Sequence, residues 1–313
     1  MSKNKTILLT GSTGMVGRNI LENKNSSNFN FITPSSKELD LKNFSSTFDF
    51  IRKYRPDLII HAAAKVGGIQ SNLSEPSNYL IENIDISRNL ILAAKDNQIE
   101  SLINIGSSCM YPRNIDIPIT EDMLLTGELE KTNEGYAIAK IFSARLCDYI
   151  RLESPFFQYK TIIPCNLYGR FDKFNPTKSH LVAAVIDKLH KAKISNNNQI
   201  EIWGNGMARR EFMCAEDLAD FLIRAINLFD TLPYYTNVGL GFDYTINEYY
   251  KIIADVVGYN GTFVHDESKP IGMNRKLVNV EKQTTWGWKP RIGLKEGIEK
   301  TYNYYLSEHI NEF

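Results

Sequence analysis

The chain has 313 residues, and its 36 Lys and Arg residues balance 36 Asp and Glu residues. This length can bury a sizeable core, while the balanced charge gives no overall field that would attract nucleic acid or an anionic membrane. The stretch MSKNKTILLT lacks the layout of a signal peptide, and no window approaches the roughly 20 apolar residues of a membrane span. We therefore expect a globular cytoplasmic protein that binds neither nucleic acid nor membrane.

The four cysteines stand far apart in the sequence, at Cys109, Cys147, Cys165 and Cys214. They form no C-x-x-C pair, so neither a disulfide framework nor a structural zinc site is expected. We expect no metal, and a reducing cytoplasm is the default location.

Short β-rich runs alternate with longer segments of helical period in the first half of the chain. In order they are KTILLT, a helix from about Met15, FNFIT, a helix near 44 to 54, DLIIH, a helix over 78 to 95, and SLINIGS. A helix over about 133 to 152, the strand KTIIPCN and a helix over about 179 to 193 follow. This alternation is typical of βαβ units on a parallel sheet.

From Gly169 onward the alternation loosens into shorter, aromatic-rich pieces such as NQIEIWGNG, RREFMC and YYTNVG. We predict an α/β fold, a doubly wound parallel-sheet Rossmann domain with a smaller C-terminal α/β substrate lobe. The predicted Rossmann domain comprises residues 1–167 with about 212–245, and the lobe comprises about 168–211 with 246–313. Ligands of such sheets bind at the carboxyl ends of the strands.

The glycine-rich loop GSTGMVG, residues 11 to 17, joins the first predicted strand to the first predicted helix. Glycines in a first βα turn allow a tight bend and a close backbone approach to a pyrophosphate, and the helix N-terminus favours the anion. This context predicts a dinucleotide site. A glycine turn without a ligand is the alternative.

The second predicted strand is followed by TPSSKELDL, which carries no acidic residue directly at the strand end. An acidic residue there would favour NAD through its ribose hydroxyls. Ser35, Ser36 and Lys37 could instead bind a 2'-phosphate, which favours NADP(H). Lys37 could equally be a solvated lysine.

Tyr136 and Lys140 lie four residues apart in a helical pattern and so share a helix face. A tyrosine with a pKa near 10 is a poor proton donor and acceptor at neutral pH, but a neighbouring cation favours its phenolate and lowers that pKa. A hydroxyl from Ser107 or Ser108, at the end of a strand, could then help to polarise a substrate carbonyl. A plain surface helix is the alternative, and the glycine loop and the Ser-ended strand argue against it.

At this point the sequence resembles the extended short-chain dehydrogenase/reductase superfamily, and within it the GDP-L-fucose synthases. The matching stretches run in order over nearly the whole length: HAAAKVGGIQ, GSSCMYP, YAIAK, NLYG, Ser179-His180, WGNG and REF. The superfamily's dehydratases usually carry an acidic pair after the active-site Ser or Thr, where this chain has Cys109-Met110. The resemblance therefore implies an NADPH-dependent 3,5-epimerase-4-reductase that acts on a GDP-linked 4-keto sugar.

The resemblance implies five catalytic residues. Ser107 and Tyr136 would bind the C4 oxygen of the keto sugar, with Tyr136 as proton donor, and Lys140 would hold the nicotinamide ribose and lower the pKa of Tyr136. Cys109 and His180 would exchange protons at C3 and C5, which the C4 ketone acidifies. The alternatives are a cysteine buried as a small hydrophobe and a surface histidine.

The resemblance also implies two binding sets and a homodimer built on the helix of Tyr136. The cofactor set is Gly11, Thr13, Gly14, Met15, Val16, Gly17, Ser36, Asp40, Leu41, Ala62, Ala63, Ala64, Lys65, Tyr136, Lys140, Pro164, Asn166, Leu167 and His180. The substrate set is Ser107, Ser108, Cys109, Asn166, Lys188, Trp203, Arg210 and Lys276. Core packing is the alternative for Trp203, and a solvated helix face is the alternative for Lys188.

Three departures from the family leave details open. Basic residues that usually face the 2'-phosphate are replaced by Ser12, Thr13, Pro34 and Ser36, so the preference for NADPH over NADH stays open. The run KPIGMNRK, residues 269 to 276, differs from a common K-P-D-G-T-P-R-K and hints at a different sugar or nucleotide contact. Gly135 stands where a proline often precedes the tyrosine.

Two other functions remain in view. One is a GDP-4-keto sugar C4-reductase with partial epimerisation, such as the C5-only colitose type, or with none, as in heptose pathways. The other is a non-catalytic NADP-binding protein on the same fold, which would need the glycine loop but neither Tyr136 nor Lys140.

Overall fold

The computed structural model describes residues 4–115, 117–175, 179–269 and 273–308. The helices within these ranges are α1 Met15–Glu22, α2 Phe44–Tyr54, α3 Ile69–Ser74, α4 Pro76–Asp96, α5 Glu134–Glu153, α6 Leu181–Ile194, α7 Ala215–Asn227, α8 Ile246–Val257, α9 Glu281–Thr285 and α10 Leu294–Glu308. The strands are β1 Thr6–Thr10, β2 Asn30–Ile32, β3 Leu58–His61, β4 Ser101–Ile105, β5 Gln158–Pro164, β6 Asn166–Tyr168, β7 Gln199–Trp203, β8 Arg209–Arg210, β9 Phe212–Cys214, β10 Tyr235–Val238, β11 Tyr244–Thr245, β12 Thr262–Asp266 and β13 Arg275–Lys276.

The centre of the molecule is a parallel sheet with the strand order β10-β5-β4-β3-β1-β2. Its inner strands are buried along almost their whole length, because helices cover both faces of the sheet. Strands covered on both faces are continuous apolar runs rather than alternating ones, as in TILLT and LIIH. The predicted doubly wound α/β fold is confirmed.

The predicted strand KTIIPCN is in fact two strands that belong to different sheets. β5 ends at Pro164 in the central sheet, and β6 begins at Asn166 and pairs in parallel with β9. Cys165 alone separates them, and its N–H donates to the carbonyl of Val238, the last residue of β10, at 2.9 Å. The sequence did not reveal this change of partner, because one residue between two strands is too short an interruption to mark a boundary.

The smaller lobe has its own apolar core between α6, α8 and α10. Two small sheets cover it, a parallel β12-β7 pair and the three strands β11-β8-β13. The loosened alternation after Gly169 reflects these short elements. The division of the chain at 167, 211 and 245 stays a prediction.

No helix in the described ranges is both long enough and apolar enough to span a membrane. All four cysteines are buried free thiols. Within the same ranges, no three His, Cys, Asp or Glu side chains are grouped so that they could hold a metal ion.

Candidate active site

The predicted cofactor segments follow the carboxyl ends of neighbouring strands. Residues 11–17 follow β1, residues 62–65 follow β3 and residues 164–167 continue from the end of β5. The sheet changes winding direction at β1, because β2 lies on one side of it and β3 on the other. Crevices at such a switch point bind nucleotides in open α/β sheets.

Two glycines of the loop are required by close backbone packing. Gly11 has φ +70°, and a Cβ there would lie 2.7 Å from the backbone nitrogen of Ala63. A Cβ on Gly17 would lie 2.4 Å from the carbonyl oxygen of Gly11. The loop therefore packs against the turn after β3 and against its own helix.

Gly14 has a different role. It precedes α1, and because it has no side chain it leaves the N-terminus of that helix accessible to a ligand. A Cβ on Gly14 would meet only the Gly11 carbonyl oxygen, at 3.4 Å. No side chain caps the first turn of α1, and that turn holds no acidic residue. An uncapped helix start next to an exposed glycine suits a pyrophosphate, so the residues present fit a dinucleotide.

A neutral hydrogen-bonded chain that sequence reasoning missed lies beneath this loop. His61 Nδ1 is 3.0 Å from the hydroxyl of Thr10, and its Nε2 is 3.1 Å from the hydroxyl of Ser87. Thr10 Oγ1 also accepts from the N–H of Ala63 at 3.2 Å, which ties β1 to the turn after β3. Burial, together with the charge of Lys140, lowers the pKa of His61 to about 3, so its ring stays neutral.

In the loop after β2, Glu38 binds Ser35, one of the residues that the sequence suggested for a 2'-phosphate. Both the N–H and the hydroxyl of Ser35 donate to Glu38, each at 2.8 Å. Ser35 is thus engaged within the loop, whereas Ser36 and Lys37 are exposed. Their contact with a 2'-phosphate stays a prediction.

Ser107, Tyr136 and Lys140 surround the end of β4. Ser107 is half-buried and begins a short 3₁₀ turn over Ser108–Met110. Lys140 Nζ donates to the carbonyl of Ile105 at 2.8 Å and lies 5.8 Å from the centre of the Tyr136 ring. Burial lowers the pKa of Lys140 to about 8, against a smaller opposite effect of Cys109.

The expected depression of the Tyr136 pKa is wrong for the structure as it stands. Burial raises the pKa of Tyr136, and the neighbouring Cys109 raises it further. Lys140 lies beside the ring, and its ammonium donates to the Ile105 carbonyl. Tyr136 is therefore a protonated phenol, which suits a proton donor.

Cys109 contacts Ser107 and interacts with two cations, Lys276 and Lys140. Its N–H donates to Ser107 Oγ at 3.4 Å, and its thiol is buried. Burial raises the pKa of the Cys109 thiol, while the charges of Lys276 and Lys140 oppose that rise. Nearby cations are typical of a reactive cysteine, and burial is typical of a structural one; the Cys109 thiol has both.

His180 forms the N-cap of α6 and is exposed to solvent. Despite that exposure, surrounding protein atoms desolvate the ring and lower its pKa, and the charge of Lys173 lowers it further. Solvent exposure together with desolvation of the ring is typical of a side chain in the wall of a cleft. Its place opposite Cys109 across a bound sugar stays a prediction, and residues 176–178 before it lie outside the described ranges.

The predicted nucleotide-binding residues form two pairs. Lys188 Nζ donates to the carbonyl of Glu201 in β7 at 2.5 Å, and Trp203 ends the same strand. Trp203 is 44% exposed, so the core-packing alternative is wrong for it. Arg210 and Lys276 are register partners on β8 and β13. Both are half-buried, and burial lowers the pKa of each.

The divergent run 269–276 is described only in part, because Ile271 lies outside the described residues. Met273 and Asn274 line a cleft of about 610 Å³ whose other walls are Arg113, Asn114, Ile115, Ile117, Glu130 and Arg275. Gly135 also has a packing reason, because a Cβ there would lie 2.6 Å from the carbonyl oxygen of Pro76.

The chain is similar to known proteins over most of its length. Residues 7–241 match the model of the NAD dependent epimerase/dehydratase family. A GDP-L-colitose synthase from Yersinia pseudotuberculosis is 55% identical over 306 residues, which cover 98% of this chain and 99% of that protein. A GDP-L-fucose synthase from Azorhizobium caulinodans is 43% identical over 307 residues, which cover 98% of each.

A similar solved structure is a GDP-mannoheptose C4 reductase from Campylobacter jejuni with NADP bound. It has a TM-score of 0.86 and 30% identity, over 97% of this chain and 99% of that one. The resemblance seen in the sequence is thereby confirmed: the chain belongs to the NAD dependent epimerase/dehydratase family.

Proposed function

We propose that this chain is an NADPH-dependent epimerase and reductase that acts on a GDP-linked 4-keto-deoxy sugar, as a GDP-L-fucose synthase does. The observation that carries the proposal is the position of Cys109, which interacts electrostatically with Tyr136, Lys140 and Lys276. A plain reductase needs the tyrosine and the lysine but has no use for a thiol that interacts with both.

The ketone is bound first. Ser107 Oγ and the Tyr136 phenol donate hydrogen bonds to the C4 oxygen of the sugar. Two fixed donors stabilise the enolate that forms when a proton leaves the carbon next to the ketone. The same two donors therefore assist the proton exchange at C3 and C5 first and the reduction at C4 afterwards.

Cys109 and His180 exchange the protons beside the ketone. The lowered pKa of His180 keeps its imidazole neutral near pH 7, so that it can accept a proton. The two lysines near Cys109 ease the loss of its thiol proton, which burial opposes. An imidazole and a thiol on opposite faces of the sugar would invert a stereocentre.

Reduction then uses the same ketone geometry. Residues 11–17, the turn 62–65 and Lys140 would hold NADPH, which supplies a hydride to C4. Tyr136 gives its phenolic proton to the C4 oxygen, and the Lys140 ammonium beside the ring stabilises the phenolate left behind. Ser107 keeps the oxygen in line throughout.

The smaller lobe would bind the nucleotide half of the substrate. Arg210 and Lys276 suit the diphosphate, since half-buried cations recognise phosphate oxygens strongly. The exposed indole of Trp203 offers a face for stacking, and Lys188 of α6 is hydrogen-bonded to the strand that carries this indole.

A second candidate is C5-only epimerisation of a dideoxy sugar followed by C4 reduction. The 55% identity to a GDP-L-colitose synthase, against 43% to a GDP-L-fucose synthase, favours this variant. The divergent residues Met273 and Asn274 supply a local reason, because they line the cleft of about 610 Å³.

Exchange in deuterated water without NADPH tests both candidates. The enzyme is incubated with GDP-4-keto-6-deoxymannose and with its 3-deoxy analogue, and NMR locates the deuterium. Deuterium at C3 and C5 of the first sugar supports the fucose type, and rapid exchange at C5 of the analogue supports the colitose type. No exchange in either sugar would reject epimerisation and leave a C4-reductase.

A homodimer is part of the proposal. Ile138, Tyr149 and Leu152 lie on one face of α5 and are 41%, 52% and 69% exposed, and Ile81 of the neighbouring α4 is 54% exposed. Exposed apolar faces of this kind mark association surfaces. Sedimentation of Leu152→Glu should give a monomer, whereas a wild-type monomer would overturn this part.

The proposed location is the cytoplasm. Four buried free thiols suit a reducing compartment, and NADPH is available there. Fractionation of cells should recover the protein with cytoplasmic markers, and its recovery in an oxidising compartment would contradict the proposal.

A further inference from the structure

Glu211 is a buried carboxylate with backbone partners on two different segments. Its Oε1 accepts from the N–H groups of Leu240 and Gly241 at 2.6 and 2.9 Å, and its Oε2 accepts from Val278 at 3.1 Å. The residue is 1% exposed, and no Lys, Arg or His of the described chain forms an ion pair with it. A buried carboxylate is costly unless hydrogen-bonded, and here backbone amides supply all three of these bonds.

The backbone around Glu211 leaves no room for a side chain at Gly239. A Cβ there would lie 2.4 Å from Glu211 Oε1 and 2.8 Å from Val278 Cγ2. Gln283 fixes Gly239 further, accepting from its N–H at 3.0 Å and donating to its carbonyl at 2.8 Å. Two chain segments, at 239–241 and at Val278, therefore converge on one carboxylate, and Gln283 holds the first of them in place.

The two paired strands β8 and β13, to which Glu211 is linked, carry the proposed substrate cations. β8 and β13 are only two residues long, and their register places Arg209 beside Arg275 and Arg210 beside Lys276. So short a pair makes few hydrogen bonds of its own and needs support from side chains. Glu211 directly follows Arg210, and it binds the chain two residues beyond Lys276.

We infer that Glu211 is a positioning residue that holds the strand of Lys276 against the strand of Arg210. It thereby fixes both cations for the diphosphate and keeps Lys276 near the Cys109 thiol. The hydrogen-bonding role follows from the contacts, and the link to a GDP-sugar rests on the proposed function.

Protonation of Glu211 should weaken this support. Burial raises the pKa of Glu211 to about 7, and the backbone N–H donors oppose the rise. The titratable groups that interact with it are Cys165 at the β5–β6 junction, Tyr249 of α8 and Asp243 before β11. A proton on Oε2 makes that oxygen a weaker acceptor for the Val278 N–H, so the strand of Lys276 should loosen as the pH falls through about 7.

The test compares Glu211→Gln with Asp217→Asn. Asp217 is also buried and accepts two backbone N–H bonds, from Arg291 and Ile292, away from β13. Hydrogen exchange measures protection of segment 273–280 without any ligand. Calorimetry measures binding of GDP-mannose, a stable GDP-sugar, on both sides of pH 7.

Glu211→Gln should lose protection in segment 273–280 and bind GDP-mannose about tenfold more weakly, without the wild-type pH dependence. Asp217→Asn should keep both properties. Wild-type protection of the segment in Glu211→Gln would overturn the inference.

If wild type fails to bind GDP-mannose while Glu211→Gln loses protection, the proposed function fails and the positioning role stands. If Glu211→Gln does not fold, Gly239→Ala replaces it, because the added Cβ would lie 2.4 Å from Glu211 Oε1 and displace the carboxylate. Wild-type protection of segment 273–280 in Gly239→Ala would then overturn the inference.

Discussion

The two sides of the candidate site are held together by different physical means. On the cofactor side, close glycine packing and the neutral Thr10–His61–Ser87 chain fix the loops. On the substrate side, buried Asp243 joins Arg209 and Arg275 at 2.6 and 2.5 Å across β8 and β13. The first arrangement depends on shape and should change little with salt concentration, whereas the second depends on charge and should weaken as the salt concentration rises.

Replacing Tyr136 should have the largest effect, because this residue stands where the two sides meet. Tyr136→Phe removes the proton donor, and kcat should fall by roughly 10²- to 10⁴-fold while NADPH binding stays near wild type. Oxidation of NADPH and fluorescence titration measure the two quantities. Tyr149→Phe, an exposed tyrosine of the same helix, is the control. Unchanged turnover in Tyr136→Phe would refute its role.

Replacing Cys109 should affect the substrate side alone. Cys109→Ser should slow deuterium exchange beside the ketone by about 10²-fold, while reduction of an already inverted ketone falls much less. NMR of the exchanged sugar and NADPH oxidation report the two steps. Cys147→Ser changes a buried thiol that belongs to an apolar core cluster, whereas Cys109 belongs to none among the described residues, and this change should leave exchange intact. Equal losses in both steps would assign Cys109 a structural role.

Replacing Gly17 should affect the cofactor side alone. Its added Cβ would lie 2.4 Å from the Gly11 carbonyl oxygen, so Gly17→Ala should lose about 1–3 kcal/mol of stability and bind NADPH more weakly. Gly293→Ala is the matched control, since its Cβ would meet nothing within 4 Å. Denaturant unfolding measures both variants, and equal stabilities would contradict the close-packing argument.

The rate of reduction should depend on the protonation state of Lys140. Lys140 loses its proton as the pH rises through about 8, so kcat/KM for reduction should decline above that pH. The decline should approach about tenfold per pH unit, as expected for one essential proton. A profile that stays flat well above pH 8 would show that the charged lysine is dispensable.

The smallest expected effect near neutral pH is that of His61 on the stability of the folded protein. Its pKa is about 3 in the folded protein and about 6.5 when unfolded, so between these values the unfolded state binds the proton more readily. Stability should therefore fall as the pH drops through this window, and His61→Gln should show a flatter acid limb. Denaturant unfolding across that range checks it, and identical limbs would show that His61 is not the group responsible.

Features close together in the sequence could be predicted from it. The glycine loop and the Tyr136–Lys140 spacing depend on one turn and one helix, and the structure contains both. The proximity of Lys276 to Cys109 and the three bonds of Glu211 join distant segments, so no local pattern revealed them. The direction of the Tyr136 pKa shift was also out of reach, because burial depends on the packing of the whole chain.

The single residue between β5 and β6 has a consequence for building hybrid proteins. Side chains alternate along a strand, so one inserted residue at Cys165 would exchange the faces presented by 166–168 and detach Asn166 from the Glu211 carbonyl, now 3.0 Å away. In chimaeras that combine halves of different relatives, it should therefore matter more to keep the number of residues at this junction than to keep their types. The join tolerates a new residue type far more readily than an additional residue.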